Sequence, residues 1–485
     1  MFLSRVRALP TFLESKLELS TSRRVSTGSV PKAREPLSAP ALGLKMASIS
    51  EEYDFVELRV YDIHGNARGR MVTRSAVTDV MKKGIGLSGS FRFLGVKGQS
   101  SIHLKPPDYV LTKYYRLMPH LETLKPYQPY HRDASSHKKI AAVLCELRCL
   151  DGTLETGMPR EATLALLQQL QEEFGLTIRS TFEVEFGIRH AKTAKTFAHE
   201  AKFASTAVLH NEGDILFDFV ETMQGIDVKI DTLLAEYGSG QFEVTCHITE
   251  GIEACDMIAE FKTASHIYLK RKGLDVVFMT CVEPQIGCSN GFHFNFSIWN
   301  SEGRNIFADP DDPETLSEFG RYWLAGMVHH SPAMLALSSP TINCYRRVGF
   351  YAGPMFANWS LDRKGSFCLK VEAGGNVYIE NRLPSSACNP YLVLASTLAA
   401  GMDGVRRKLE LPPPGDESTR LPATLEEAVD ALEADTSLTE ALGEGVMQMF
   451  IYTKRTFELD EFKAFGQLSD EEMLLKEKEY YYHPL

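Results

Sequence analysis

The segment TFEVEFGIRH, residues 181–190, sets acidic side chains at alternate positions of an otherwise apolar run. Such alternation is typical of a β-strand, in which successive side chains point to opposite faces of the sheet. Glu183 and Glu185 would therefore share one face, while the apolar residues between them pack against a core. Taken alone, the pattern also fits an amphipathic strand whose acidic face lies in solvent. Whether the two acids are functional or merely exposed therefore depends on the other segments.

Three further segments carry polar side chains on strand-like patterns. Each of them alone also has a structural explanation: an exposed acid, a hydrogen-bonded polar pair, or a same-face ion pair of small energetic value. The segments are EYGSGQFEV (236–244), which contains Glu236 and Glu243; GFHFNFSIW (291–299), which contains His293 and Asn295; and VYIENRLP (377–384), which contains Glu380 and Arg382.

The four segments together indicate a metal site. Five carboxylates in one cleft would repel one another unless cations neutralised them. Hard divalent cations prefer carboxylate oxygen, and a single histidine is compatible with Mg²⁺ or Mn²⁺. Two such metals can clamp the oxygens of a phosphoryl group, and Arg347 and Arg382 can bind carboxylate or phosphate with fork geometry. The sequence therefore predicts a metal–phosphate site inside a sheet.

The composition is that of an ordinary globular protein. Hydrophobic residues make up 44% and charged residues 24% of the 485 positions, and the formal net charge is −11. This acidic balance argues against nucleic acid as a partner, and the apolar runs are too short for a membrane helix. The nine cysteines lack metal-ligand spacing, so we expect reduced, buried thiols of an intracellular protein.

The sequence divides into three parts. Residues 1–48 are basic and rich in serine, which is typical of a disordered tail or of a targeting segment. Residues 49–152 predict a small, mostly-β domain. Residues 153–485 predict an α+β domain with a mainly antiparallel sheet. We expect a cytoplasmic location, with a mitochondrial one as the alternative that the basic N-terminus leaves open.

Three motifs, in this order along the chain, resemble the glutamine synthetase superfamily of type I, and the resemblance spans about residues 50–485. The hairpin YDIHGNARGR (61–70) is similar to the family's N-terminal loop. PTINCYRR (340–347) is similar to its Pro-Thr-x-Asn-x-Tyr-(Lys/Arg)-Arg motif. IENRLPSSACNPYLVLASTLAAGMDG (379–404) is similar to its Ile-Glu-x-Arg…Asn-Pro-Tyr stretch. Within the superfamily, the C-terminal half looks most like lengsin.

The resemblance implies the fold and the assembly. It implies a small N-terminal β-grasp-like domain and a large C-terminal glutamine synthetase-type domain with a curved antiparallel sheet. The active site would lie in the sheet at a subunit boundary. The chain would form a ring homo-oligomer, either a hexamer or a dodecamer of two stacked rings.

The resemblance also implies a role for each candidate residue and two Mg²⁺ or Mn²⁺ ions per site, together with ATP. The implied roles are one metal held by Glu185, Glu236 and Glu243; a second held by Glu183, His293 and Glu380; nucleotide contacts from Asn295 and Ser297; contacts to the glutamate-like substrate and the phosphoryl group from Arg347 and Arg382; and ammonium binding by Asp62 from an adjacent subunit.

The implied reaction is carboxylate–amine ligation. A glutamate-like acid would attack the γ-phosphate of ATP to form an acyl phosphate, and ammonia or another amine would then displace phosphate to give a γ-glutamyl amide. The metals and the arginines would stabilise the negative charge on the phosphate oxygens.

Several positions depart from the family pattern. By resemblance, the flap glutamate is Ala352, and Cys288-Ser289 replace an Asn-Gly pair. Three family arginines are Gly365, Lys370 and Tyr378, and a nucleotide-contacting histidine is Asn295. The metal positions are all retained, whereas parts of the ammonium, glutamate and ATP contacts are not.

Three functions therefore stay open at the level of sequence. The first is a ligase with an altered amine or acid pocket, suited to an amine bulkier than ammonium. The second is a catalytically silent, lengsin-type structural oligomer associated with cytoskeletal filaments. The third is a regulator that binds nucleotide without turning it over.

Overall fold

The computed structural model of this chain describes residues 48–100, 113–129, 138–198, 203–283, 289–312, 315–349, 353–362, 365–372 and 376–483. The predicted tail lies almost wholly outside these residues, as do Cys288 and Ala352. The architecture is α+β, with an N-terminal β domain followed by a large domain built on a second sheet, as expected from the sequence.

The N-terminal sheet is mixed and has the strand order β2-β1-β6-β4-β3, with β5 also paired to β6. Its two central strands, β1 and β6, run parallel, and β1 forms an antiparallel hairpin with β2. This arrangement agrees with the β-grasp-like prediction. The strands are β1 Phe55–Tyr61, β2 Ala67–Thr73, β3 Ile85–Ser88, β4 Tyr114–Pro119, β5 Lys125–Pro126 and β6 Ile140–Arg148, with helix α1 Arg74–Lys83 after the hairpin.

The second sheet has the order β13-β14-β15-β12-β7-β9-β8, and β10 and β11 also pair with β7. Neighbouring strands are antiparallel except β13 and β14. The long strand β7 therefore lies in the middle of the sheet. The strands are β7 Leu176–His190, β8 Ile230–Ala235, β9 Gln241–Cys246, β10 Thr249–Glu250, β11 Leu274–Val277, β12 Phe292–Asn300, β13 Trp359–Ser360, β14 Phe367–Glu372 and β15 Asn376–Asn381.

Helices cover the apolar face of this sheet and continue to the C-terminus. Two long helices, α6 and α7, approach each other closely at Gly326 and Gly404. A side chain at Gly326 would come within 2.1 Å of the Ala400 carbonyl oxygen, so only glycine fits there. The helices are α2 Pro159–Phe174, α3 Thr206–Asn211, α4 Gly213–Gln224, α5 Glu253–Arg271, α6 Glu318–Ser338, α7 Pro390–Arg407, α8 Leu425–Ala434, α9 Thr436–Leu442, α10 Glu444–Thr453, a π-helical turn Lys454–Leu459, α11 Asp460–Ala464 and α12 Asp470–Tyr481.

Phenylalanine side chains fill the space between sheet and helices. Phe182 packs against Phe292 and Phe294 of the neighbouring strand, with ring centroids 4.7 and 4.6 Å apart. These residues are the apolar half of the alternating segments, and their burial turns Glu183 and His293 to the opposite face of the sheet. None of the helices within the described residues is long and apolar enough to cross a membrane.

Candidate active site

The strand register brings the acidic segments together around β7. His293 on β12 lies opposite Glu183, and Glu243 on β9 lies opposite Glu185. On the far side of β12, Glu380 of β15 pairs with Asn295. Because opposed residues in an antiparallel sheet have side chains on the same face, polar side chains from four strands converge on one surface.

Glu183, His293 and Glu380 form a group that can hold a cation. His293 Nδ1 lies 3.3 Å from Glu183 Oε2 and 3.4 Å from Glu380 Oε1. One ligand atom from each of the three residues lies within 4.8 Å of the others. The donor set of two carboxylates and one imidazole suits Mg²⁺ or Mn²⁺.

Glu380 is also in contact with two cationic side chains. Arg382 Nη1 donates to Glu380 Oε1 at 2.6 Å, and Lys370 Nζ lies 2.9 Å from Glu380 Oε2. Burial acts to raise the pKa of Glu380, but the positive charges of His293, Arg382 and Lys370 outweigh it and lower this pKa to about 2. Both oxygens of this carboxylate are thus ion-paired within the protein itself.

The other acids have the opposite electrostatic environment. Burial, together with repulsion from Glu183 and Glu185, raises the pKa of Glu243 to about 8. Burial, followed by repulsion from Glu185, raises the pKa of Glu236 to about 7. These shifts are those expected of buried carboxylates that repel one another.

The predicted ligand set Glu185, Glu236 and Glu243 is less compact than the group of Glu183, His293 and Glu380. Among the described residues, only the group of Glu183, His293 and Glu380 has three ligand atoms within 4.8 Å of one another. Glu185 Oε2 instead accepts from the Gly291 N–H at 2.8 Å and from Gln241 Nε2 at 3.3 Å. Glu185 is therefore oriented by two neutral hydrogen-bond donors, the backbone of Gly291 and the side chain of Gln241.

Arg347 lies in a buried position beside Glu185. Its Nη1 donates to the Arg382 carbonyl oxygen at 3.2 Å, while its buried Nε lacks a partner among the described residues. A side chain at Gly291 would lie 3.0 Å from Glu185 Oε1 and 3.2 Å from Arg347 Nη2. Glycine thus keeps this corner open, and the guanidinium retains a donor for an anionic ligand.

The predicted nucleotide contacts follow His293 on the same face of β12. Asn295 Nδ2 donates to Glu183 Oε1 at 3.1 Å, and Ser297 Oγ accepts from Trp299 Nε1 at 2.8 Å. Both side chains are buried in the isolated chain. Their role in nucleotide binding stays a prediction.

Asp62 lies in the turn of the β1–β2 hairpin and faces its own chain. Its carboxylate accepts from the backbone N–H groups of His64 and Asn66 at 3.0 and 2.9 Å and pairs with Arg68 Nε at 2.8 Å. Burial raises its pKa, against the effect of Arg68. To bind ammonium in a neighbouring subunit, as predicted, the Asp62 carboxylate would have to break its ion pair with Arg68 or enter the neighbouring site together with Arg68.

Sequence reasoning did not select two residues that shape the site. Gln241 Nε2 contacts Glu185, and it also donates to the Ser289 carbonyl oxygen and to Asn290 Oδ1. Ser386 Oγ donates to the Gly291 carbonyl oxygen at 2.7 Å. The available signals were the position of Gln241 directly after the Gly-Ser-Gly turn and that of Ser386 within the family-like stretch 379–404.

The comparisons with known proteins identify the class. Residues 156–473 match the family model described as glutamine synthetase, catalytic domain. The chain therefore belongs to the glutamine synthetase family, whose members are ATP- and divalent-metal-dependent ligases that form oligomers.

Individual relatives agree with this assignment. Glutamine synthetase of Halobacterium salinarum is 28% identical over 434 residues, covering 85% of this chain and 91% of the relative. Glutamine synthetase of Methanocaldococcus jannaschii is 30% identical over 373 residues, covering 72% and 80%.

Two solved structures share the fold. A crystal structure of a novel glutamine synthase homolog has a TM-score of 0.76 at 24% identity, covering 88% of this chain and 99% of the other. A GmaS/ADP complex has a TM-score of 0.74 at 24% identity, covering 88% and 98%.

Proposed function

We propose that this protein is an ATP- and divalent-metal-dependent ligase that joins a glutamate-like carboxylate to an amine through an acyl phosphate. The convergence of Glu183, His293 and Glu380, with ligand atoms within 4.8 Å of one another, carries the proposal. Membership of the glutamine synthetase family supports it. Any Mg²⁺ or Mn²⁺ bound there would neutralise the phosphate oxygens and the crowded carboxylates.

The side chains of this chain have separable tasks in that reaction. Arg347, with its buried and unpaired Nε, would bind the α-carboxylate of the acid or a phosphate oxygen. Arg382 and Lys370 form ion pairs with Glu380. Each could exchange this carboxylate for a phosphate oxygen when the nucleotide binds. Asn295 and Ser297 would face the nucleotide from β12.

The proposed reaction has two chemical steps. A side-chain carboxylate oxygen of the acid bonds to the γ-phosphorus of ATP, and the bond from that phosphorus to the bridging oxygen breaks to release ADP. The amine nitrogen then bonds to the acyl carbon as the bond from carbon to phosphate oxygen breaks. The nitrogen loses its surplus proton to a nearby carboxylate or to water, which leaves an amide and inorganic phosphate.

Ligand-dependent stability of the full chain tests the proposal first. The measurement is the melting temperature with and without Mn²⁺ and a non-hydrolysable ATP analogue. A ligand at about 100 times its dissociation constant adds about 2.7 kcal/mol to the free energy of unfolding. We expect a rise that is absent in the Glu183→Gln/Glu380→Gln variant, followed by phosphate release with glutamate and an amine.

The contacts of Glu380 favour a second candidate, the catalytically silent structural oligomer. Arg382 and Lys370 pair with both oxygens of this carboxylate and would compete with a metal for it. This candidate predicts no ligand-induced stabilisation and co-sedimentation with intermediate filaments. These two experiments test its lengsin-like character and the filament association. The proposed ring size would be tested by analytical ultracentrifugation, and the proposed cytoplasmic location by fluorescence microscopy of the tagged chain.

A further inference from the structure

Two exposed aromatic side chains stack on each other, and one of them directly follows Glu236, one of the five acids of the candidate site. The rings of Phe203 and Tyr237 have centroids 4.2 Å apart and an interplanar angle of 8°. Phe203 is 46% exposed and Tyr237 is 60% exposed. Large apolar side chains exposed in contact with each other are a frequent mark of a binding surface.

The backbone holds Tyr237 at the edge of the candidate site. Tyr237 directly follows Glu236, and its N–H donates to Glu236 Oε2 at 3.0 Å. The same turn ends at Gln241, whose backbone carbonyl accepts from the Glu236 N–H and whose side chain contacts Glu185. The backbone of Tyr237 is therefore hydrogen-bonded to Glu236, and the turn that it opens closes at Gln241, which contacts Glu185.

A separate segment holds Phe203 in place. The N–H of Ala204 donates to the carbonyl oxygen of Ala235, at the end of β8, at 2.9 Å. Ala204 has φ 57°, a left-handed conformation that is uncommon for a non-glycine residue and persists where the surroundings fix it. Both rings are thus attached to the end of the strand that leads into Glu236.

An apolar stack next to an anionic group has the chemistry that recognises an organic ammonium ion. The carboxylate attracts the positive nitrogen, and the ring faces accept hydrocarbon or a second aromatic ring. Free ammonium could make only a cation–π contact with a ring and has no hydrocarbon to cover the apolar surface. A neutral aromatic molecule would gain from the rings but not from the acid.

We propose that Phe203 and Tyr237 form a subsite for the hydrocarbon part of a primary amine, with Glu236 drawing its ammonium group toward the reaction centre. This inference rests on the proposed ligase function and names the class of its second substrate. That class is a primary amine with an aromatic or extended apolar substituent, in preference to ammonium or methylamine.

The test compares amine binding by matched variants of the full chain. Isothermal titration with 2-phenylethylamine in the presence of Mg²⁺ and ADP should show affinity about tenfold weaker in Tyr237→Ala and in Phe203→Ala, as expected for loss of an aromatic contact. Tyr237→Phe should retain most of the affinity. In a separate titration without Mg²⁺ and ADP, so that loss of a predicted metal ligand does not contribute, Glu236→Gln should weaken 2-phenylethylamine but leave 2-phenylethanol unchanged.

Equally exposed aromatic residues elsewhere serve as controls. Tyr114→Ala matches Tyr237→Ala, because Tyr114 is also 60% exposed but lies on the N-terminal sheet. Phe217→Ala matches Phe203→Ala, because Phe217 is 44% exposed. Both control variants should change the affinity less than twofold.

The outcomes separate this inference from the ligase proposal. Failure of phosphate release with every amine would refute the ligase, while the binding data would still report on the subsite. Unchanged 2-phenylethylamine affinity in both alanine variants would overturn the subsite. So would a change in sedimentation coefficient without a change in amine affinity, since the two rings would then form an interface between copies of the chain.

Discussion

Glu183 and His293 lie directly opposite each other on antiparallel strands, with His293 Nδ1 3.3 Å from Glu183 Oε2. The same imidazole nitrogen lies 3.4 Å from Glu380, which the next strand supplies. Strand register alone therefore brings the three side chains together. Lys370, from one strand further, has Nζ within 2.9 Å of the same glutamate.

The first prediction concerns this lysine. We expect Lys370→Met to increase the affinity for Mn²⁺ in the absence of nucleotide by several-fold, because a cation that competes for Glu380 is removed. Titration calorimetry or Mn²⁺ electron paramagnetic resonance would measure the change. With an ATP analogue present, we expect the opposite effect, since the methionine cannot contact a phosphate.

A lysine remote from the site provides the control for this variant. Lys476 pairs with Glu479 at 2.8 Å on the exposed side of α12. Lys476→Met removes the same charge and should leave both affinities unchanged. If Lys370→Met left Mn²⁺ affinity without nucleotide unchanged as well, the competition inferred for Glu380 would be wrong.

The second prediction uses two neighbouring arginines. Arg347→Lys should weaken the binding of L-glutamate by about tenfold or more, because lysine cannot reproduce the planar fork of donors. Arg346 next to it contacts Glu477 and Asp470 at 2.7 Å each. Arg346→Lys should reduce the melting temperature while leaving glutamate affinity within about twofold.

Binding measured by calorimetry distinguishes the two arginines without reference to turnover. Equal losses of glutamate affinity in both variants would show that Arg347 acts only through local stability. A loss confined to Arg347→Lys would support its assignment to the acid substrate.

The alternation of side chains predicted the strands of the site well. In segments 181–190 and 291–299, buried phenylalanines alternate with polar residues, which fixes the face of Glu183 and His293 before any tertiary contact is known. Alternation does not determine which strands become neighbours. The contact of Lys370 with Glu380 depends on the pairing of β14 with β15, and it was therefore not predicted from the sequence.

The burial of a polar residue by a neighbouring element, Arg59 by α5, was also not predicted from the sequence. Arg59 alternates with apolar residues along β1 as a solvent-facing residue would, yet it is buried against Glu260 of α5. The partner of Arg59 thus lies outside the local pattern. Asp62, by contrast, accepts hydrogen bonds within its own hairpin, and its role in a neighbouring subunit stays a prediction.

The third prediction addresses the buried pair of Arg59 and Glu260. Their side chains join the N-terminal sheet to α5, and the Arg59 guanidinium also lies 4.4 Å from the ring centroid of Tyr127. Arg59→Met should lower the free energy of unfolding by about 3–5 kcal/mol, because it leaves Glu260 buried without its main cation. Urea denaturation at one fixed protein concentration would measure it.

An exposed ion pair of the same domain is the control. Arg74 contacts Asp54 at 2.9 Å, and its side chain is about half exposed. Arg74→Met should lower the free energy of unfolding by less than about 1 kcal/mol. Similar effects of the two substitutions would contradict the importance assigned to burial.

The fourth prediction is a pH dependence of stability that originates in His330. This buried histidine on α6 lies between Asp435, 2.5 Å from Nδ1, and Asp403, 2.9 Å from Nε2. Burial acts to lower its pKa, but hydrogen bonds to the two aspartates outweigh burial and raise it above the usual value of 6.5. Arg407 also contacts Asp403, at 2.9 Å, and moderates its charge.

The direction of the effect follows from the raised pKa. Because the folded state binds the proton more tightly than the unfolded state, the stabilisation is fully present below about pH 6.5 and is lost as the pH rises through the folded-state pKa. His329 has the opposite shift, since burial and then repulsion from His330 lower its pKa. Its contribution is therefore unfavourable below about pH 6.5.

Two substitutions separate the contributions of His330 and His329. The measurement is the free energy of unfolding from pH 5 to pH 9. His330→Gln should make the decline in stability above pH 6.5 shallower, the rest of it coming from Glu236 and Glu243 with their raised pKa values. His329→Gln should increase stability at pH 5 relative to the parent. His247→Gln is the control, because His247 contacts Asp231 at an exposed position and should change neither slope. The same pH dependence above 6.5 in His330→Gln as in the parent would contradict the charge assigned to His330 between its two aspartates.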